Sequence, residues 1–178
     1  MAALMQDLYI RAQRIRLAVF DVDGVLTDGG LSFSGAGDEL KVFNVLDGHG
    51  MKLLQESGVA LAVITSRSSR AVEERMRNLG VELLFQGAQD KLAAFHQLIA
   101  RQGIAAECAS CIGDDLQDLP VMTRCGLAAS VPDAPALVRR HAHYVTRARG
   151  GRGAVREFCA MIMHAQGSLE ARLAAFLR

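Results

Sequence analysis

An α/β fold built on a doubly wound parallel sheet is what this sequence predicts, and three observations predict it. The apolar segments are continuous runs of strand length, such as RLAVFDV (16–22) and VALAVIT (59–65). Runs without in–out alternation mark strands covered on both faces. They alternate with helix-like stretches along the chain, and repeated β–α units imply right-handed crossovers within one layered sheet. Polar residues collect directly after the apolar runs, at the edge where ligands of such sheets bind.

Each element follows from its own pattern. The strand over 16–22 leads into LSFSGAGDELKVF (31–43), where Leu31 and Phe33 alternate, Gly35 and Gly37 bracket a turn, and Leu40 and Val42 alternate again. That is a β-hairpin. It is too small to be a separate domain and fits a flap (30–43) over a site or a pairing surface for another subunit. Residues 49–57 read as a helix stopped by Gly58, with Met51, Leu53 and Leu54 on its apolar side. Strands follow at 59–65 and 81–85, separated by a helix over 69–79 that Gly80 closes. A helix over 90–102, a strand over 108–112, a short helix over 116–124 and a strand over 127–131 continue the alternation. Residues 143–145 suit a sixth strand, and helices over 154–166 and 169–177 finish the chain. No repeat or linker interrupts the 178 residues, so one domain (1–178) with a C-terminal helical tail (150–178) is expected.

Composition removes several function classes. Apolar residues make up 51% and charged residues 22%, a globular balance rather than a disordered one. The net charge of +1 supplies no field for nucleic acid or an anionic membrane. No apolar run approaches a membrane span, and residues 1–16 lack the apolar core of a signal peptide. A soluble, cytoplasmic protein is the expectation. Cys108 and Cys111 form a C-x-x-C pattern, but they flank a strand-like apolar run and have no second pair, so they read as packed hydrophobes. His141 and His143 have no further ligands nearby in sequence; His49 sits closer to the candidate site.

The strand ends carry the chemistry. The first strand ends in Asp21-Val22-Asp23-Gly24, the second in Thr65-Ser66-Arg67, and the fourth in Gly113-Asp114-Asp115-Leu116-Gln117-Asp118; Lys91 opens the helix after the third. Carboxylates gathered this closely need a counter-ion, and oxygen ligands of this kind select a hard cation such as Mg²⁺. An acid cluster for Mg²⁺, a hydroxyl and a lysine at one edge describe a phosphoryl-transfer site, with an aspartate available as a nucleophile. Asp115 and Asp118 have two readings: orienting water on the metal, or capping the next helix.

DVDGVLTDG, VITSR, Lys91 and GDDLQD together resemble the four motifs of the haloacid dehalogenase superfamily of phosphatases. The likeness runs over about 16–166 and is sharpest in the hairpin, FNVLDGHGMK (43–52), GDDLQDLPVM (113–122) and GGRGAVRE (150–157). It implies a Rossmann-like haloacid dehalogenase core with the hairpin flap in place of a cap domain. It implies Asp21 as nucleophile, Asp23 as the acid and then the base, Thr65 and Lys91 on the phosphoryl group, and Mg²⁺ held by Asp21, the Asp23 backbone carbonyl and Asp114. It also implies that Asn44, Val45, Leu46, Asp47, Gly48, Arg67 and Arg75, with Asp23 and Lys91, contact the substrate. That substrate would be a sugar acid phosphate, 3-deoxy-D-manno-octulosonate 8-phosphate, in lipopolysaccharide inner-core biosynthesis.

Two positions depart from the family pattern. Leu46 replaces the arginine of NVRDG and keeps another sugar acid phosphate open; Ser66 replaces the glycine of ITGR. The resemblance further implies a homotetramer, with the flaps paired and the Gly-rich stretch of the tail reaching a neighbouring subunit's active site. RARGGRG (147–153) is a single copy without stacking aromatics, so it does not read as a nucleic-acid segment. A signalling receiver domain is disfavoured because both Asp21 and Asp23 follow the first strand. A non-catalytic domain partnering a sugar nucleotidyltransferase would be expected to have lost a motif residue, and none is missing.

Overall fold

The computed structural model describes residues 2–177. Helix α1 (Ala2–Gln13) leads into β1 (Leu17–Phe20), and the hairpin β2 (Ser32–Phe33) and β3 (Glu39–Leu40) follows. Then come α2 (Val45–Glu56), β4 (Ala60–Ile64), α3 (Arg70–Leu79), β5 (Leu83–Phe85), α4 (Lys91–Gln102) and β6 (Ala109–Gly113). A 3-10 turn (Leu116–Asp118) runs into α5 (Leu119–Met122), followed by β7 (Leu127–Ser130), α6 (Ala136–Arg140), β8 (Tyr144–Val145), α7 (Ala154–Ala165) and α8 (Leu169–Ala174).

The six-stranded sheet has the order β5-β4-β1-β6-β7-β8, and every pair in it is parallel. β1 and β6 therefore lie side by side at its centre, with Phe20 opposite Ile112 in register. Both strands are buried throughout, as the continuous apolar runs require. Helices α1, α2 and α7 pack together, and α4 packs with α5. Phe20 meets Phe158 of α7 edge to face at 6.5 Å, tying the central strand to that group. The hairpin β2–β3 stands apart as a separate two-stranded sheet.

The predicted fold class and the sixth strand agree with the structure. Several strands and helices are a few residues shorter than expected, and four elements differ more. Helix α1 was not expected over 1–16, where charged and apolar residues mix without a clear stripe. Helix α2 begins at Val45 rather than His49, because the Asn44 side chain accepts the N–H groups of Leu46 and Asp47 and caps it there. The helix expected over 116–124 is a 3-10 turn joined to one α-helical turn. The short α6, started by Pro135, was not anticipated.

The Gly-rich segment packs on its own chain. The Gly151 N–H donates to the Val25 carbonyl at 2.9 Å, and a side chain at Gly150 would strike the Gly24 carbonyl. This segment thus buttresses the loop that carries Asp23.

Candidate active site

The central strands end at one edge. The Asp21 N–H donates to the Ile112 carbonyl, and the Thr65 N–H to that of Phe85, so both side chains leave the sheet at fixed places. Lys91 opens α4 just after the Asp90 cap. A cavity of about 350 Å³ is lined by Asp21, Asp23, Thr65, Arg67, Lys91 and Asp114, together with Gly29, Ser66, Asp115, Gln117 and Asp118. All of the expected catalytic and metal-holding residues therefore face one space.

Lys91 organises it. Its ammonium lies 2.9 Å from Asp21 Oδ1 and 2.7 Å from Asp118 Oδ1, and all three side chains are buried. Burial alone would lower the Lys91 pKa, but the Asp21 and Asp118 charges outweigh it and hold the group charged. Asp21 is pushed up to about 7, first by burial and then by Asp118, with Lys91 opposing. Asp114 is pushed up to about 8 by burial and by the charges of Asp21 and Asp118.

One oxygen from each of Asp21, Asp114 and Asp118 lies within 4.8 Å of the others, an acidic triad of metal-binding spacing. Asp118, however, is fully engaged. Its Oδ1 takes Lys91, and its Oδ2 accepts the N–H groups of Asp114 (3.0 Å) and Asp115 (3.2 Å). Asp21 and Asp114 are left for a cation. Asp115 accepts the Leu116 N–H at 2.7 Å and caps the 3-10 turn, the second of its two readings. Gly24 takes φ +85, and any side chain there would run into the Asp114 carboxylate. Thr65 is buried at the cavity wall.

Asp23 lines the cavity next to the flap. Its carboxylate accepts from the Lys41 ammonium, and Arg67 Nε lies 3.8 Å away. Glu39 joins both cations, at 3.4 Å from Lys41 and 2.7 Å from Arg67. Across the cavity, Ser66 Oγ donates to Gln117 Oε1 at 2.6 Å.

The expected substrate segment is divided. Asn44 and Val45 line a second cavity of about 190 Å³ with Asp28, Phe43 and Arg152. An intervening depression of about 520 Å³ shares Gly29 and Asp114 with the acidic cavity and Asp28 and Arg152 with the second one, making a continuous trough. Leu46 is exposed and lines none of these spaces.

Three positions turn out differently from the substrate contacts expected of them. Asp47 is buried, and its carboxylate accepts the N–H groups of Gly153 (3.2 Å) and Arg156 (2.8 Å), capping α7. Gly48 is a buried point where α2 admits the Arg75 guanidinium. Arg75 donates to the Asn44 carbonyl at 3.1 Å and covers the Phe43 ring, so it secures the segment from behind. Sequence reading missed Lys41, Glu39 and Gln117. A signal for the first two existed: residues 39 and 41 share one face of the hairpin, opposite the apolar Leu40 and Val42.

A model of the haloacid dehalogenase-like hydrolase family matches residues 85–157. The 3-deoxy-D-manno-octulosonate 8-phosphate phosphatase KdsC of Yersinia pestis is 48% identical over 164 residues, covering 92% of this chain and 88% of that protein. The crystal structure of a probable YrbI family phosphatase from Pseudomonas syringae superimposes with a TM-score of 0.95 at 52% identity, over 97% of this chain and 98% of that one. The 3-deoxy-D-manno-octulosonate 8-phosphate phosphatase of Moraxella catarrhalis, solved with magnesium, phosphate and KDO, gives 0.95 at 41% identity, over 97% and 99%. With identity this high along nearly the whole length of both chains, the protein belongs to the 3-deoxy-D-manno-octulosonate 8-phosphate phosphatase family of haloacid dehalogenase-like hydrolases.

Proposed function

We propose that this chain hydrolyses 3-deoxy-D-manno-octulosonate 8-phosphate to the free sugar acid and phosphate, a step of lipopolysaccharide inner-core biosynthesis. The observation that carries the reading is Asp21, held 2.9 Å from Lys91 in a cavity it shares with Asp23, Thr65 and Asp114. In the first step an Asp21 carboxylate oxygen attacks phosphorus. The ester P–O bond breaks, and the Asp23 carboxyl gives its proton to the departing sugar oxygen. In the second step water attacks phosphorus of the aspartyl-phosphate. Asp23, now a carboxylate, takes the water proton, and phosphate leaves with Asp21 restored. Lys91 and the Thr65 hydroxyl donate to the phosphoryl oxygens.

The donor set fits Mg²⁺. Two buried carboxylates and the half-buried Asp114 gather around one ammonium, and burial, with the charges of the neighbouring carboxylates, pushes Asp21 and Asp114 up in pKa. We assign the ion to the Asp21 and Asp114 carboxylates and the Asp23 carbonyl, where it supplies charge neutralisation for phosphoryl transfer. The trough toward Asn44 and Arg152 receives the sugar acid, with Arg67 at its entrance. The same reading includes a homotetramer joined through the exposed apolar residues of the flap, Leu31, Phe33, Leu40 and Val42, with the Gly-rich tail segment near a neighbour. It includes a cytoplasmic setting, which suits four free cysteines. No helix among the described residues is long and apolar enough to cross a membrane.

Phosphate release from a panel of sugar phosphates, with Mg²⁺ or with chelator, tests the reading. Release is expected to be greatest on 3-deoxy-D-manno-octulosonate 8-phosphate and to vanish on chelation and in Asp21→Asn. Mg²⁺-dependent release favouring another sugar acid would keep the mechanism and move the substrate. No release from any ester by folded, Mg²⁺-loaded protein would favour a non-catalytic domain instead.

A further inference from the structure

Lys41 belongs to the flap, yet its side chain is only 2% exposed. An ammonium on a flexible stem does not lose its water there without partners. It has two, Asp23 and Glu39. Among the described residues the Lys41 ammonium is the only hydrogen-bond donor to the Asp23 carboxylate. Arg67, at 3.8 Å, is beyond hydrogen-bond reach. Glu39 in turn is anchored to Arg67 on the loop after β4. The chain Arg67–Glu39–Lys41–Asp23 therefore fixes the flap to two strand ends and fixes one carboxylate from the flap. Two cations meet two carboxylates, so the formal charges of the group balance.

We infer that Lys41 is the positioning residue for Asp23: the flap, through this ion pair, aims the carboxyl group that transfers protons. This rests on the reading of Asp23 given under the proposed function. Proton transfer demands heavy atoms within hydrogen-bond reach, and a misdirected carboxyl loses that geometry while the nucleophile Asp21, held by Lys91, keeps its own. A hairpin without a cap domain thereby takes part in the chemistry.

The test compares two esters. A sugar phosphate leaves as an alkoxide and needs the proton; p-nitrophenyl phosphate leaves as a stable anion and does not. Lys41→Met is expected to lower kcat on the sugar phosphate about tenfold or more, since positioned acid–base catalysis is worth about 10²–10⁴. On p-nitrophenyl phosphate the loss is expected to stay below about threefold, and Lys41→Arg is expected to recover part of the sugar phosphate rate. In an Asp23→Asn background, adding Lys41→Met should cost less than about twofold more, because the two residues act as one unit. Equal losses on both esters in Lys41→Met and Lys41→Arg would overturn the inference. So would an undiminished sugar phosphate rate, or a full additional loss in Asp23→Asn. No phosphate release from either ester by folded, Mg²⁺-loaded wild type would instead withdraw the phosphatase reading, and the role of Lys41 with it.

Discussion

At the scale of single residues, the site is a charge imbalance held in place. One ammonium, Lys91, faces Asp21 and Asp118, and Asp114 lies close by. Asp118 is the rivet: it fixes Lys91 with one oxygen and the Asp114–Asp115 backbone with the other. Asp21 and Asp114 are left under-compensated, and their folded pKa values of about 7 and about 8 stand above the ordinary 3.8. The cluster titrates as a unit. In metal-free protein these groups still hold protons at a pH where the unfolded chain has released them. Metal-free stability is therefore expected to fall as pH rises from about 4 to about 8. Mg²⁺ binds the ionised carboxylates, so its stabilising effect should grow over the same window. Thermal unfolding with and without Mg²⁺ at about pH 5.5 and about pH 8 checks this. A larger Mg²⁺ gain at the higher pH agrees; equal gains at both contradict it.

At the scale of elements, α2 and α7 are joined by a side chain rather than by packing alone. Asp47 leaves α2 to cap α7, and Asn44 caps α2 while donating to the Gly151 carbonyl at 3.3 Å. Burial raises the Asp47 pKa, against the backbone N–H groups that favour its charged form. Asp47→Ala strands two N–H groups at the start of α7 and is expected to cost about 1–3 kcal/mol of unfolding free energy. Urea denaturation measures it; a change below about 0.5 kcal/mol would mean that water replaces the cap. The same residue shows what was legible in the sequence. Asp21, Thr65, Lys91 and Asp114 were readable because each follows its own buried strand, and the sheet topology brings strand ends together. Asp47 and Arg75 were not readable as supports, because a polar side chain on a helix gives no sign in sequence of whether it meets ligand or neighbour. Helix α1 lacked a clean apolar stripe. Lys41 was hidden by the hairpin's alternation, which drew attention to its apolar face.

At the scale of the whole molecule, a parallel sheet turns dispersed residues into one edge, and the trough runs from that edge past Asp28 toward Asn44. The flap is tied to Asp23 and Arg67 beside it and leaves Phe33, Leu40 and Val42 exposed. Exposed apolar residues grouped in this way suit burial against another copy. Light scattering is expected to give four times the 19.1 kDa of one chain, and Phe33→Glu is expected to shift the protein to smaller species. A monomeric wild type would contradict the tetramer. The central claim is that Asp21 carries the phosphoryl group in transit, and acid quenching during turnover followed by peptide mass analysis tests it most directly. A hydroxylamine-sensitive phosphate is expected on the peptide containing Asp21, absent in Asp21→Asn together with turnover. Undiminished phosphate release by Asp21→Asn, with no modified peptide in the wild type, would contradict it.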